Sequence, residues 1–415
     1  MPNSALTSKI LESLDRFRIE LPSWGFADTG TRFGKYTQPA AAVTIEEKIS
    51  DAAQVHKLTG VCPSIALHVQ WDFRQGRESA FNVDSRDSAF NVDSRDSASE
   101  VAAIAQHQGI RPGSINPNFF QNQEYKFGSF GNPDRRIRAM ALEHARESIA
   151  IAKHLGSRDI SFWFADGSNY PGTANIRQRK KWFEESLALA HADLFTDQRM
   201  LIEYKPFEPA FYHTDIADWG MAAHLARAAG PQAKVLVDTG HHYAAQNIEQ
   251  IVAWLLSENM LGGFHFNDRR YADDDLTLGS IDPYQVFRIF SEILFFEWET
   301  SSISDVAYMI DQSHNLKGKI EAMIQTVTMA QELWAKAALV DHERLSSAQS
   351  VPDLIRAESC LQDAFATDVR PAIREWRESK GLPPDPMQAF RDSGYLDRIT
   401  AARAPRKASS VSTYA

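Results

Sequence analysis

Glu203, Asp238, His265 and Asp311 stand at the ends of four apolar runs, "MLIEYKP", "KVLVDTGH", "GGFHFND" and "VAYMIDQS". Burying a carboxylate or an imidazole there is costly unless it is paired or binds a metal. For any one of the four, a hydrogen-bonded core residue is an adequate reading; four at the ends of successive runs argue for a shared ligand. Carboxylates with imidazole and no thiolate suit Mn²⁺, Co²⁺, Mg²⁺ or Zn²⁺, the first two best. Just beyond lie His241 and the run "YADDDL", whose Asp273 and Asp275 flank Asp274 in alternation. An acidic run is ordinarily a solvated turn. Here Asp273, Asp275 and His241 offer a second site, with Asp274 facing solvent. Two ions held close together can bridge a vicinal hydroxy-carbonyl. Lys205 is two residues after Glu203, so in a strand both side chains share a face. Asp268 belongs to the same stretch, while His242 and His314 read as supporting or exposed neighbours of the ligands.

Something must bring four run ends to one place. Eight strand candidates are legible, at 17–24, 64–71, 113–120, 159–166, 200–206, 234–241, 262–268 and 306–313. Helical periodicity fills 44–60, 135–156, 178–195, 214–230 and 247–260, several of these closing on glycine. This alternation predicts an α/β protein, a (β/α)₈ TIM barrel whose strand ends converge on one mouth. An open doubly wound sheet is the competing architecture. Residues 1–313 would form the barrel with a dinuclear metal site. Residues 314–403, without strand signals, would form the last barrel helix and a C-terminal α-helical extension. That extension would contact a neighbouring subunit or, equally, cap its own barrel. Residues 404–415 read as a disordered tail. "SAFNVDSRD" occurs at 79–87 and again at 88–96, too short a unit for a repeat architecture. It reads as a tandem duplication in the loop after the second strand, where added length costs little.

The chain of 415 residues is 43% hydrophobic with 11% aromatics, enough to bury a sizeable core. Its formal charge of −10 argues against nucleic acid or anionic membrane as partners and leaves room for a small neutral substrate. Cys62 and Cys360 are too few for a disulfide framework or a thiolate metal site, and no apolar run is long enough to span a bilayer. A cytoplasmic protein is the expectation.

"LPSWGFADTGTRF", "LHVQWD", "FWFADGSNYPG", "EYKPFEPAFYHT", "VDTGHH", "GFHFNDRRYADDDL" and "MIDQSHN", in this order, resemble the bacterial L-rhamnose isomerases of the broad-specificity Pseudomonas type, on a xylose isomerase-like barrel. The resemblance implies a homotetrameric, Mn²⁺-dependent aldose–ketose isomerase acting on L-rhamnose and other aldoses such as D-allose. It implies two divalent cations per subunit. Glu203, Asp238, His265 and Asp311 would hold the structural ion, and His241, Asp273 and Asp275 the catalytic one. Lys205, Asp311 and His241 would take part in catalysis, with Trp24, His68, Trp163 and Lys205 binding the sugar. Such a reaction moves hydrogen between C1 and C2 and needs charge stabilised on both oxygens, which two cations and an ammonium provide. The duplicated segment is longer than this family leads one to expect, which bears on substrate preference more than on reaction type. Three other classes are weighed: a ketose 3-epimerase, wanting two opposed carboxylate bases at C3; a metallo-endonuclease, disfavoured by the acidic balance; and a non-catalytic sugar binder, disfavoured because all seven ligand positions carry competent side chains.

Overall fold

The computed structural model describes residues 4–31, 34–73, 92–208, 212–313 and 316–407. Eight parallel strands follow one another around the sheet: β1 (Leu21–Pro22), β2 (Ser64–His68), β3 (Arg111–Asn116), β4 (Asp159–Phe162), β5 (Arg199–Glu203), β6 (Ala233–Asp238), β7 (Leu261–Phe266) and β8 (Ala307–Ile310). Backbone bonds from Glu20 N to Tyr308 O (2.8 Å) and from Ile310 N to Glu20 O (2.9 Å) join β1 to β8 and close the ring. The barrel is therefore the architecture, and the open sheet is excluded.

Around it lie α1 (Ser4–Arg16), α2 (Ile45–Thr59), α3 (Val92–Gln108), α4 (Arg135–Leu155), α5 (Ile176–Ala192), α6 (Trp219–Ala229), α7 (Ile248–Ser257), α8 (Pro283–Thr300) and α9 (Lys319–Ala337). The local chemistry accounts for their limits. Thr44 and Glu47 form a reciprocal capping box at the start of α2, and Gly60 ends it in the left-handed region at φ 78°. Asp282 caps α8, with Pro283 at its first turn. The end of the duplicated segment is helical rather than loop, since α3 begins at Val92; the first copy lies outside the described residues.

Alternation sets the barrel interior. Leu201, Leu236 and Met309 make a small apolar layer of their own beneath the mouth. At the opposite end Arg199 donates to Asp159 (2.7 Å) and to the carbonyls of Asp305 (2.8 Å) and Gly262 (3.1 Å), so the floor is closed by satisfied polar groups.

Five further helices follow: α10 (His342–Ser350), α11 (Leu354–Ala366), α12 (Arg370–Ser379), α13 (Pro386–Asp392) and α14 (Tyr395–Lys407). They fold back on their own barrel. Arg403 of α14 makes two bonds to the Asp51 carboxylate of α2, at 2.8 and 2.9 Å, and one to Ala40 O at 2.6 Å. Trp376 of α12 donates to Asp15 at 2.9 Å. Helix α14 runs to Lys407, past the residue-403 limit expected for the extension, so residues 404–407 are not tail; residues 408–415 lie outside the described residues. Among the described residues no helix is long and apolar enough to cross a membrane.

One half-buried carboxylate on the outer ring predicts a pH effect on stability. Burial, aided by repulsion from Glu249 and Glu299, pushes Glu292 of α8 up to about 7 from an ordinary 4.5. A carboxyl raised in the folded state stabilises relatively below its unfolded pKa and loses that advantage as pH rises through the folded value. Glu292→Gln is therefore expected to leave thermal stability unchanged below about pH 4.5 and to raise it above pH 7, by up to about 3 kcal/mol. Melting curves across that range check it.

Candidate metal centre

The ends of β5, β6, β7 and β8 bring Glu203, Asp238, His265 and Asp311 together, one ligand atom from each lying within 4.8 Å of all the others. The ladder sets this arrangement, since Asp238 is in register with His265 across β6 and β7. His265 Nδ1 lies 3.3 Å from Glu203 Oε2 and 3.4 Å from Asp311 Oδ2. Both ring nitrogens are buried without a hydrogen-bond partner. An unsatisfied imidazole facing carboxylates is what a coordination site requires and what a packed core residue avoids.

The carboxylates are braced from behind. Asn267 donates to both oxygens of Asp238, at 3.0 and 3.2 Å, and Gly240 N donates to Oδ1 at 2.6 Å. A Cβ at residue 240 would come within 2.4 Å of Asn267 Oδ1, so only glycine permits this bracing. Trp24 Nε1 donates to Asp311 Oδ1 at 2.7 Å, tying a cavity wall to a ligand.

His241, Asp273 and Asp275 come to the same mouth. His241 Nδ1 lies 3.0 Å from the Tyr204 carbonyl, an acceptor, and 3.3 Å from Glu203 Oε1, which places a proton on Nδ1 and turns Nε2 toward the cavity. Nε2 faces Asp273 Oδ1 at 3.1 Å and Asp238 Oδ2 at 3.9 Å. The extended alternation expected for Asp273 and Asp275 is not how the chain presents them. Both adopt the left-handed region, at φ 49° each, and both line the cavity. Non-glycine residues held there concentrate at functional sites, and aspartate tolerates the conformation better than most. Asp274, expected to face solvent, is half-buried and accepts the backbone N–H groups of Arg270 and Tyr271, shaping this bend. Asp268 likewise braces backbone, accepting from Ile281 N and Asp282 N at 2.7 and 3.0 Å.

Lys205 points into the mouth beside Glu203. Its ammonium bonds Asp273 and Glu208, the latter at 2.6 Å, and lies 5.2 Å from the Trp163 ring centre. Tyr204 between them points away and bonds His242 at 2.6 Å, so His242 is buried behind the ligands. His314 lies outside the described residues.

The cavity above these groups is about 210 Å³. Trp24, His68, Trp71, Phe120 and Trp163 wall it, with His68 and Trp71 stacked at 3.6 Å. Both His68 nitrogens, Trp163 Nε1 and Ser161 Oγ are buried without partners, leaving polar atoms for a hydroxylated ligand among aromatic faces. Ser161 escaped the sequence reading, though it is two residues before Trp163 and shares its face. Glu208, Asn267 and Arg269 escaped it too, and no local signal marks them. A larger hollow of about 430 Å³ between α1 and the end of α8 shares none of these residues. Its charged groups include the Arg16–Glu297 ion pair, already satisfied at 2.6 Å, so we place the chemistry at the mouth.

The protonation balance tests whether cations fit. Burial disfavours charge on His241, yet Asp238 and Asp273 overcome it and push the imidazole up to about 10. Burial likewise opposes charge on His265, and Glu203 with Asp311 raises it to about 9. Burial, then repulsion from Glu203 and Asp311, pushes Asp238 up to about 7, and burial with Asp273 raises Asp275 strongly. Groups this eager for protons lack positive charge, and divalent cations on these donors would provide it. The ring of Glu203, Asp238, His265 and Asp311 fits a divalent cation, whereas among the described residues His241, Asp273 and Asp275 share the cavity without forming a comparable ring.

Comparison with known proteins agrees with the barrel. The family model for the xylose isomerase-like TIM barrel matches residues 78–301. A protein named probable sugar isomerase, from Rhizobium meliloti, is 36% identical over 93% of this chain and 86% of its own length. An L-rhamnose isomerase from Bacteroides thetaiotaomicron is 25% identical over 51% of this chain and 50% of its own. Among solved structures, the 3-keto-D-glucoside 4-epimerase of E. coli superposes with a TM-score of 0.53 at 12% identity, covering 76% of this chain and 99% of that one, a similarity of fold.

Proposed function

The chain belongs to the xylose isomerase-like TIM barrel family, and on that footing we propose that it is a metal-dependent aldose–ketose isomerase interconverting L-rhamnose and L-rhamnulose. One observation carries the reading: Glu203, His265 and Asp311, three of the four residues clustered with Asp238, line the same aromatic cavity as Lys205, His241, Asp273 and Asp275. The motifs shared with L-rhamnose isomerases and the similarity to the Bacteroides enzyme support the choice of sugar. The same resemblance supports other aldoses such as D-allose as substrates and a homotetramer, and the scarcity of cysteine supports a cytoplasmic setting.

Glu203, Asp238, His265 and Asp311 would hold one ion and His241, Asp273 and Asp275 another, with Mn²⁺ best suited to the mixed oxygen and nitrogen donors. Bound there, divalent cations would supply positive charge to the vicinal oxygens of an open-chain sugar. The protein's own groups do the rest. Lys205 presents an ammonium to the oxygen on which charge develops. Burial opposes its charge, and Asp273 with Glu208 keeps it protonated well above the usual range. Trp24, Trp71, Phe120 and Trp163 exclude bulk water from the C1–C2 bond, which favours direct hydrogen transfer between the carbons over exchange with solvent. His68, with its unpartnered nitrogens, is placed to bond sugar hydroxyls.

Assay of L-rhamnose conversion after EDTA treatment, with and without added Mn²⁺, tests the proposal. Activity should vanish and return with metal. Absence of conversion under any divalent metal would discard the L-rhamnose assignment, and C3 inversion of a ketose would replace it with the epimerase reading.

A further inference from the structure

From the arrangement of one buried guanidinium, we infer that Arg269 is a positioning residue that assembles the second cation site, an inference resting on the two-cation reading above. Its fork closes around the turn that carries His241: Nη1 donates to Thr239 O at 2.7 Å, Nε to His242 O at 2.7 Å, and Nη2 to Tyr243 O at 3.0 Å. These carbonyls lie on both sides of His241, so Arg269 sets the backbone from which that imidazole projects.

The next residue upstream governs the other half of the site. Arg269 N donates to Asp268 Oδ1 at 2.9 Å, and the backbones of Asp268 and Leu276 exchange two bonds of 2.9 Å. That exchange closes the loop bearing Asp273 and Asp275. Asp273 N then donates to Gly240 O at 3.3 Å, joining loop to turn. Residues 268 and 269 thus hold the two donor-bearing segments in register. The first site leans on this turn at one point, Gly240 N to Asp238 Oδ1 at 2.6 Å, while Asn267 holds Asp238 independently and Glu203, His265 and Asp311 stand at or just beyond the ends of other strands. Arg269 therefore serves the second ion more than the first.

An arginine is required because three carbonyls on different sides of one turn need a planar fork of donors, which an ammonium does not offer. Groups of this kind typically change metal affinity by about 10- to 100-fold when removed.

The test is a Mn²⁺ binding isotherm on the full-length protein, read by equilibrium dialysis, for wild type, Arg269→Met, Arg269→Lys and His241→Ala, with melting in EDTA as a separate readout of folding. Wild type should bind two ions, and His241→Ala should identify the second by losing it. Arg269→Met should weaken the second ion at least about tenfold and the first by clearly less. Arg269→Lys, which keeps the charge and much of the packing, should show the same selective loss in milder form and covers the case in which the methionine variant does not fold. Equal affinity for both ions in the variants, or parallel weakening of both, would overturn the inference. A single ion in the wild type would overturn the two-cation reading itself, and this inference with it.

Discussion

Lys205→Met is expected to lower kcat by about 10²- to 10³-fold while Mn²⁺ content stays at the wild-type level. The magnitude is that of removing one well-placed donor from a charge-stabilising site. Metal content should hold because the variant removes a cation rather than a ligand. With Lys205 gone, Asp273 loses an ammonium that keeps its carboxyl ionised alongside His241, and its demand for a divalent ion rises. KM should change less than kcat if the ammonium meets charge that develops only on the way to the transition state. Steady-state kinetics together with metal analysis on the same preparation decide it. A variant that turns over normally would remove Lys205 from the chemistry, and one that loses both metal and activity would make it a structural partner of Asp273.

That prediction rests on a feature the sequence carries openly. In "IEYKP" the period of two puts Glu203 and Lys205 on one face and Tyr204 on the other, and the structure places them so, with Tyr204 bonded to His242 behind the barrel wall. All eight strands were legible for the same reason, because short apolar runs between amphipathic segments have few other uses. Their limits were less so. The run 17–24 yields only Leu21–Pro22 as strand, since Pro22 has no N–H to give to a ladder and the chain turns at once into the Trp24–Phe26 turn. Helix α8 carries no clear amphipathic period, because its sequence, "PYQVFRIFSEILFFEWET", crowds aromatics along much of its length and blurs the polar face.

At the site, the four ligands at or just past strand ends followed from periodicity, whereas the bracing did not. Asn267 on Asp238, Arg269 on the 239–243 turn and Glu208 on Lys205 depend on loop conformation that no periodicity encodes. Asp273 and Asp275 are the instructive case. Type and spacing single the residues out, but what turns them to the mouth is a pair of left-handed residues, which no spacing encodes.

His241→Ala and Asp273→Ala should each abolish useful turnover with the fold retained. A cation's stabilisation of several kcal/mol, at about 1.4 kcal/mol per tenfold, puts the loss at about 10²- to 10⁴-fold. The fold should survive because both side chains border the open cavity, where water can occupy the vacated space. The two variants are not equivalent. Asp273→Ala also strips Lys205 of one of its two carboxylate partners, so its effect mixes metal loss with displacement of the ammonium. His241→Ala leaves both carboxylate partners of Lys205 in place and so tests the metal more directly, although the imidazole it removes has its Nδ1 3.0 Å from the Tyr204 carbonyl and 3.3 Å from Glu203 Oε1 and its Nε2 3.1 Å from Asp273 Oδ1. If kcat falls equally in both, the second cation accounts for the loss. A further drop in Asp273→Ala alone measures what Asp273 contributes by holding Lys205. Near-normal activity in His241→Ala would leave the ring of Glu203, Asp238, His265 and Asp311 as the sole metal site, and charge stabilisation at the far oxygen would then fall to Lys205.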